Sequence, residues 1–193
     1  MSSLIYFVRH GETEWNRQQR IQGSTDIPLN DTGRAQALAA AARLSDSAPD
    51  LIVASPLMRA FETATIIGDS LGLNGPTADP DLVERNYGEA EGMNYRQIED
   101  RFPDRALIRG HESHERLAAR SLGALHRLAR SHDGASMVVV AHGGVIRAVL
   151  GEIDQEGTHG AIRNGSIHSL SFSGDQFSLL GFDEVTPRQP ARS

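Results

Sequence analysis

The chain contains no cysteine and no lysine. Without cysteine there is no disulfide, no thiolate nucleophile and no thiolate-bound metal. Without lysine there is no P-loop lysine, no Schiff-base lysine and no strand lysine of the protein-kinase kind. All 19 basic residues are arginine, an imbalance that codon bias explains without any chemistry. Tryptophan occurs once, at Trp15. No apolar run approaches the roughly 18 residues of a membrane span. The N-terminus also lacks a basic stretch leading into an apolar signal segment. We therefore expect a cytoplasmic protein with no membrane partner. The net charge of −6 argues against a nucleic-acid binder. An acidic protein that binds an anion must do so through a local cluster of cations.

With 193 residues, 39% hydrophobic and 23% charged, the composition fits one globular domain with a proper core. We read a single domain over residues 1–185 and a polar, flexible tail over 186–193. Residues 4–8 are all apolar, the mark of a strand buried on both faces. Residues 12–23 are polar and cover the end of that strand, pinned by Trp15. Asn30 or Asp31 caps a helix over 31–44, in which Ala35, Leu38, Ala39 and Ala42 form the stripe expected to face the core. Residues 50–54 are a second buried strand. Ser55 and Pro56 then read as N-cap and first residue of a helix that carries Arg59 in its first turn. Residues 73–92 are irregular, 94–102 a short capped helix, and 113–131 a long helix with Leu117, Ser121, Leu125 and Leu128 on one face. Residues 136–141 are a strand, 145–150 a helix, and 167–172 with 176–181 a hairpin about Ser173-Gly174-Asp175. Strands alternating with helices over short links predict an α/β fold with a right-handed parallel sheet.

Two of these strands end in histidine followed by glycine, at Arg9-His10-Gly11 and at His142-Gly143-Gly144. If both lie parallel in one sheet, the two imidazoles meet at its C-terminal edge, where open α/β sheets bind ligands. The helix that follows His142-Gly143-Gly144 presents free N–H groups and a positive dipole end, with Gly143 read on the phosphate-binding side. Arg59, just after another strand, points to the same edge. Two arginines, two histidines and a helix N-terminus suit a phosphate dianion, and His10 is the candidate nucleophile for a phosphoryl group. Each residue alone has an ordinary structural explanation; their shared edge carries the reading. His111, His114, His126, His132, His159 and His168 are read as structural. His111 and His114 have a metal-like spacing but no clear third ligand, so no metal is expected.

The motifs Arg9-His10-Gly11-Glu12-Thr13-Glu14-Trp15-Asn16, Arg20-Ile21-Gln22-Gly23, Ser55-Pro56-Leu57-Met58-Arg59-Ala60, Glu84, Gly88 and His142-Gly143-Gly144 resemble the histidine phosphatase superfamily, in particular its phosphoglycerate mutase-like phosphatases. The resemblance covers nearly the whole chain. It implies a three-layer α/β/α sandwich with a mostly parallel, doubly wound sheet, and a phosphohistidine intermediate. It also implies that His10 attacks phosphorus, that Arg9, Arg59 and His142 hold the phosphoryl oxygens, and that Glu84 donates the proton to the leaving group. Asn16, Gln22 and Gly23 match positions lining the phosphate or substrate side. Glu89 and Glu91 lie close to Glu84 in sequence, and which of the three reaches the leaving oxygen stays open. Glu112-Ser113 resembles a motif at the start of the long helix, expected to cap it and support the pocket. A homodimer is possible by resemblance.

Glu84-Arg85-Asn86-Tyr87-Gly88 is shared with the mutases and favours carboxylate-bearing substrates, with Arg85 as a partner. The mutases continue with a substrate-binding lysine that this chain lacks, and they carry a longer insertion before the position of His111. We therefore expect a phosphomonoester hydrolase acting without a cofactor on a small phosphorylated metabolite. The alternatives are a mutase dependent on 2,3-bisphosphoglycerate and a catalytically inactive anion- or protein-binding module.

Overall fold

The structure, a computed structural model, describes residues 2–155, 157 and 160–186. The strands are β1 (Ser3–Arg9), β2 (Leu51–Ala54), β3 (Thr77–Ala78), β4 (Ser136–Ala141), β5 (Ile167–Ser173) and β6 (Gln176–Gly181). The helices are α1 (Glu14–Arg17), α2 (Asp31–Leu44), α3 (Met58–Leu71), α4 (Tyr95–Arg101), α5 (His114–Ser131) and α6 (Gly143–Ile153). The six strands form one sheet in the order β3-β2-β4-β1-β5-β6. β1, β2, β3 and β4 run parallel, whereas β5 and β6 are antiparallel, β5 pairing with β1.

Side chains along a strand alternate between faces, and the two central strands are apolar on both. Ile5 and Phe7 of β1, with Met137, Val139 and Ala141 of β4, pack beneath α5 and α6. Tyr6 and Val8, with Val138 and Val140, pack beneath α2 and α3. The result is the expected three-layer sandwich with helices on both faces. β1 leads to α2 on one face and β4 leads to α6 on the other, so the chain parts at their C-terminal ends and opens a crevice there.

Three local expectations are corrected. In α2 the buried residues are Gly33, Ala37, Ala40, Ala41 and Leu44, and Leu38 is 56% exposed. A helix so rich in alanine offers two apolar stripes of the same period. The choice falls to backbone contact: a Cβ on Gly33 would lie 2.1 Å from the Glu12 carbonyl oxygen, and one on Gly11 2.2 Å from that of Gly33. Secondly, α3 begins at Met58, after a Leu57 N-cap that makes no side-chain cap bond. Ser55 continues the line of β2, its N–H donating to the Val140 carbonyl at 3.0 Å, while Asp26 accepts from the Met58 N–H at 2.8 Å. Thirdly, Thr186 does not begin a loose tail. Its N–H donates to Ser169 and its carbonyl accepts from the Tyr6 hydroxyl. Residues 187–193 of the expected tail, and His159, lie outside the described residues.

Because the exit of β1 and the first turn of α2 meet backbone to backbone, Gly33→Ala is expected to destabilise the protein by about 1–3 kcal/mol. Thermal denaturation should show Tm falling by about 2–4 °C for each kcal/mol.

Candidate active site

The crevice holds a cavity of about 1030 Å³ lined by Arg9, His10, Arg59, Glu84 and Gly143 among others. Its floor follows from strand register. β1 and β4 are paired with Arg9 opposite Ala141, so the next residues, His10 and His142, leave the sheet side by side. The His10 N–H donates to the Ala141 carbonyl at 3.0 Å, and the two rings stand edge to face, 5.1 Å apart. Both are buried, at 2% and 0% exposure.

His10 Nδ1 lies 2.6 Å from the Gly11 carbonyl oxygen. A carbonyl only accepts, so Nδ1 carries the proton and Nε2 of the neutral ring carries the lone pair. Burial, then the charges of Arg59 and Arg9, hold the His10 pKa well below its ordinary value. The same burial and the charge of Arg59, then those of His10 and Arg9, do this to His142. Further support is local. Thr63 accepts from the Gly11 N–H at 3.1 Å, and Asn164 donates to the His10 carbonyl at 3.0 Å. His142 Nε2 meets the Ser55 hydroxyl at 2.8 Å, and the same oxygen accepts from the Leu57 N–H at 3.3 Å ahead of α3.

Arg59 is fully buried. Its two terminal nitrogens donate to the carbonyls of Gly23 and Thr25 at 2.8 and 3.0 Å, so it ties the 22–25 loop to α3. Arg9 donates to the Ile162 carbonyl at 2.7 Å. Both Nε atoms, His142 Nδ1 and Gln22 Oε1 are buried with no hydrogen-bond partner among the described residues. Four orphaned polar atoms on residues of one cluster are costly unless a polar guest satisfies them. Asn16 lines the cavity too, but its Oδ1 accepts from Thr13 and Asn164, which orders the loop after β1.

Of the three acidic candidates, Glu84 alone lines the cavity. One carboxylate oxygen accepts from the Arg85 N–H at 2.8 Å and the other from the Gly144 N–H at 3.0 Å. Gly144 permits that approach, since a Cβ there would fall 2.4 Å from Glu84 Oε1. Glu91 accepts from the backbone and hydroxyl groups of Ser24 and Thr25. Burial pushes its pKa up, but these bonds outweigh it and hold the group below the usual carboxylate value. Glu89 is exposed and off the cavity. Glu112 and Ser113 behave as expected: Ser113 caps α5, and Glu112 pairs with Arg120 behind the Glu84 loop.

Arg85 lines the cavity while its Nε donates to the Glu112 carbonyl at 2.7 Å. Arg20, Arg105, Arg147, Tyr87 and Tyr95 complete the rim. Sequence reasoning missed Asn164, Thr63, Arg105 and Arg147. Asn164 sits before Gly165 in what reads only as a turn, and a lone arginine on a helix gives no signal at all. No group of three or more histidine, aspartate or glutamate side chains placed to hold a metal ion occurs among the described residues.

A family model for the histidine phosphatase superfamily, branch 1, matches residues 5–184. The chain belongs to the histidine phosphatase superfamily. It is 38% identical over 184 residues to the uncharacterized phosphatase PhoE of Bacillus subtilis, covering 94% of each chain. It is 41% identical over 196 residues to phosphoglycerate mutase-like protein 4 of Arabidopsis thaliana, covering 94% of this chain and 85% of that one. Among solved structures, a mycobacterial glucosyl-3-phosphoglycerate phosphatase in complex with VO3 superposes with a TM-score of 0.83 at 31% identity, covering 95% of this chain and 99% of that one. None of the described helices is long and apolar enough to cross a membrane.

Within this superfamily fold the two buried imidazoles set a pH dependence. Their folded-state pKa values lie below the unfolded value of about 6.5. The unfolded chain then binds more protons as the pH falls, so their contribution to stability is complete above about pH 6.5 and is lost as the pH drops towards the folded values. Tm at pH 5 should lie below Tm at pH 7.5, and His142→Gln should flatten that difference.

Proposed function

We propose that this phosphomonoester hydrolase works through a phosphohistidine formed on His10. The observation that carries the reading is the locked tautomer: Nδ1 is committed to the Gly11 carbonyl, which leaves Nε2 as a free lone pair on a residue lining the cavity. Nε2 attacks phosphorus, and the bond from phosphorus to the ester oxygen breaks. Arg9, Arg59 and His142, with the α6 N-terminus at Gly143, neutralise the three phosphoryl oxygens, the task that loose phosphoryl transfer sets. Gln22 and Asn16 complete this side. Glu84, held at the α6 N-terminus by the Gly144 N–H, gives its proton to the leaving oxygen and later takes one from the water that attacks the phosphohistidine, which releases phosphate and restores His10. Cationic side chains supply the charge that a metal would otherwise bring, so no metal enters the scheme.

The substrate is a small phosphorylated metabolite. Arg85, with Arg20, Arg105 and Arg147, makes the outer cavity cationic in a chain of net charge −6. This suits a leaving group with a negative charge of its own, such as a carboxylate. The mycobacterial relative, a glucosyl-3-phosphoglycerate phosphatase by name, supports that class.

The test is a panel of monoesters including 3-phosphoglycerate, each assayed with and without 2,3-bisphosphoglycerate. Samples are quenched in base and searched for a phosphoryl group on the peptide containing His10. Phosphate release with an acid-labile adduct on that peptide, and no 2-phosphoglycerate, is the expected result. Isomer formed in response to 2,3-bisphosphoglycerate would make the protein a mutase, and phosphate bound without any adduct would make it a binding module.

A further inference from the structure

Glu84 stands on backbone that has no helix or strand of its own between residues 83 and 86. What fixes that backbone lies behind it, outside the cavity. Arg120, midway along α5, donates through Nη1 to the Asp81 carbonyl at 2.7 Å and through Nη2 to the Glu84 carbonyl at 3.2 Å. The same guanidinium grips both oxygens of Glu112, from Nε at 2.7 Å and from Nη2 at 2.9 Å. The two side chains are 17% and 10% exposed. Glu112 extends the clamp through its main chain: its N–H donates to the Asn86 carbonyl at 2.7 Å, and its carbonyl accepts from Arg85.

All three guanidinium nitrogens are thus used, on carbonyls at both ends of the loop and on a carboxylate that holds the fork in place. Arg120 does not line the cavity. We propose that Arg120, oriented by Glu112, is a positioning residue that sets the placement of the Glu84 carboxyl for proton transfer; the proposal rests on the reading of Glu84 as the proton donor. The planar fork matters. A lysine in its place would keep the charge beside Glu112 but offer no rigid geometry for two carbonyls and a bidentate carboxylate together.

A residue acting through the proton donor has a signature that general support of the fold lacks. p-Nitrophenolate leaves phosphorus without needing a proton, whereas an alkoxide needs one. We expect Arg120→Gln to lower kcat/KM for alkyl phosphates by about 10- to 100-fold. The kcat/KM for p-nitrophenyl phosphate, which reports the first transfer and not the later hydrolysis in which Glu84 takes a proton, should fall less than about threefold, and inhibition by vanadate should be unchanged. Arg120→Lys should fall between the variant and the wild type. Should Arg120→Gln fail to fold, Glu112→Gln, which keeps the shape of the pair and removes one charge, is judged by the same ratio. Glu84→Gln is run alongside. If it shows the leaving-group ratio and the Arg120 and Glu112 variants lower both substrates and vanadate binding together, or lower neither, the positioning role is overturned while the proton donor stands. If Glu84→Gln shows no such ratio, the proton-donor reading fails and this proposal falls with it.

Discussion

Replacement of His10 by alanine is expected to lower phosphate release by about 10⁴-fold or more, and to do so equally for good and poor leaving groups. The nucleophile is needed for the first bond whatever departs. Binding should survive, because the groups assigned to the phosphoryl oxygens are anchored elsewhere: Arg59 by the carbonyls of Gly23 and Thr25, Arg9 by that of Ile162, and His142 by Ser55. Inorganic phosphate should still bind within a few-fold of the wild-type affinity, measured by calorimetry on the inactive variant. Turnover that persists in His10→Ala would end the phosphohistidine mechanism. Loss of phosphate binding together with turnover would instead place His10 in the binding cluster.

Replacement of Glu84 by glutamine is expected to reduce kcat/KM for alkyl phosphates by about 10²- to 10⁴-fold, the usual range for a general acid. The amide is close in shape to the acid and its oxygen can still accept from the Gly144 N–H, 3.0 Å from Glu84, while its NH2 then faces the Arg85 N–H that the other carboxylate oxygen had accepted. What it lacks is a proton to give. With p-nitrophenyl phosphate the loss in kcat/KM should be much smaller, and a plot of log kcat/KM against leaving-group pKa should steepen. An equal loss on every ester would mean that Glu84 acts in binding or in shaping the α6 N-terminus. The pH profile adds a check on His10. Because burial and the charges of Arg59 and Arg9 lower its pKa, the nucleophile stays unprotonated well below the ordinary histidine value, and kcat/KM should keep its acid-side plateau below about pH 6.

Some of this was legible in the chain. Residues 4–8 and 136–141 carry no polar group apart from the hydroxyls of Tyr6 and Ser136, and strands so apolar can only be central in a sheet. His10 and His142 follow directly, so their arrival at one sheet edge needed only parallel pairing. Less was visible where several sequences would serve equally. α2 is mainly alanine, and its buried face was set by the approach of Gly33 to the backbone after β1, not by hydrophobic contrast. Ser55-Pro56 has the form of a helix start, yet the hydroxyl is drawn to His142 because β2 continues beside Val140 for one residue more. The choice among Glu84, Glu89 and Glu91 could not be made from spacing. All three sit within one irregular segment, and only the Gly144 N–H on one wall and the Ser24–Thr25 loop on another separate their uses.

The sequence by itself determined the layer structure, the two histidines and the two arginines nearest to them, because burial on both faces of a strand and the residues at its end are local properties. Only the tertiary structure decided which carboxylate lines the cavity with His10 and what holds it there. That choice depends on α5 and α6 reaching the same loop from different parts of the chain, with hydrogen bonds of Arg120 spanning 36 residues to Glu84 and of Gly144 spanning 60. Contacts at such separations follow from sheet order and helix packing, and no local pattern of residues encodes them.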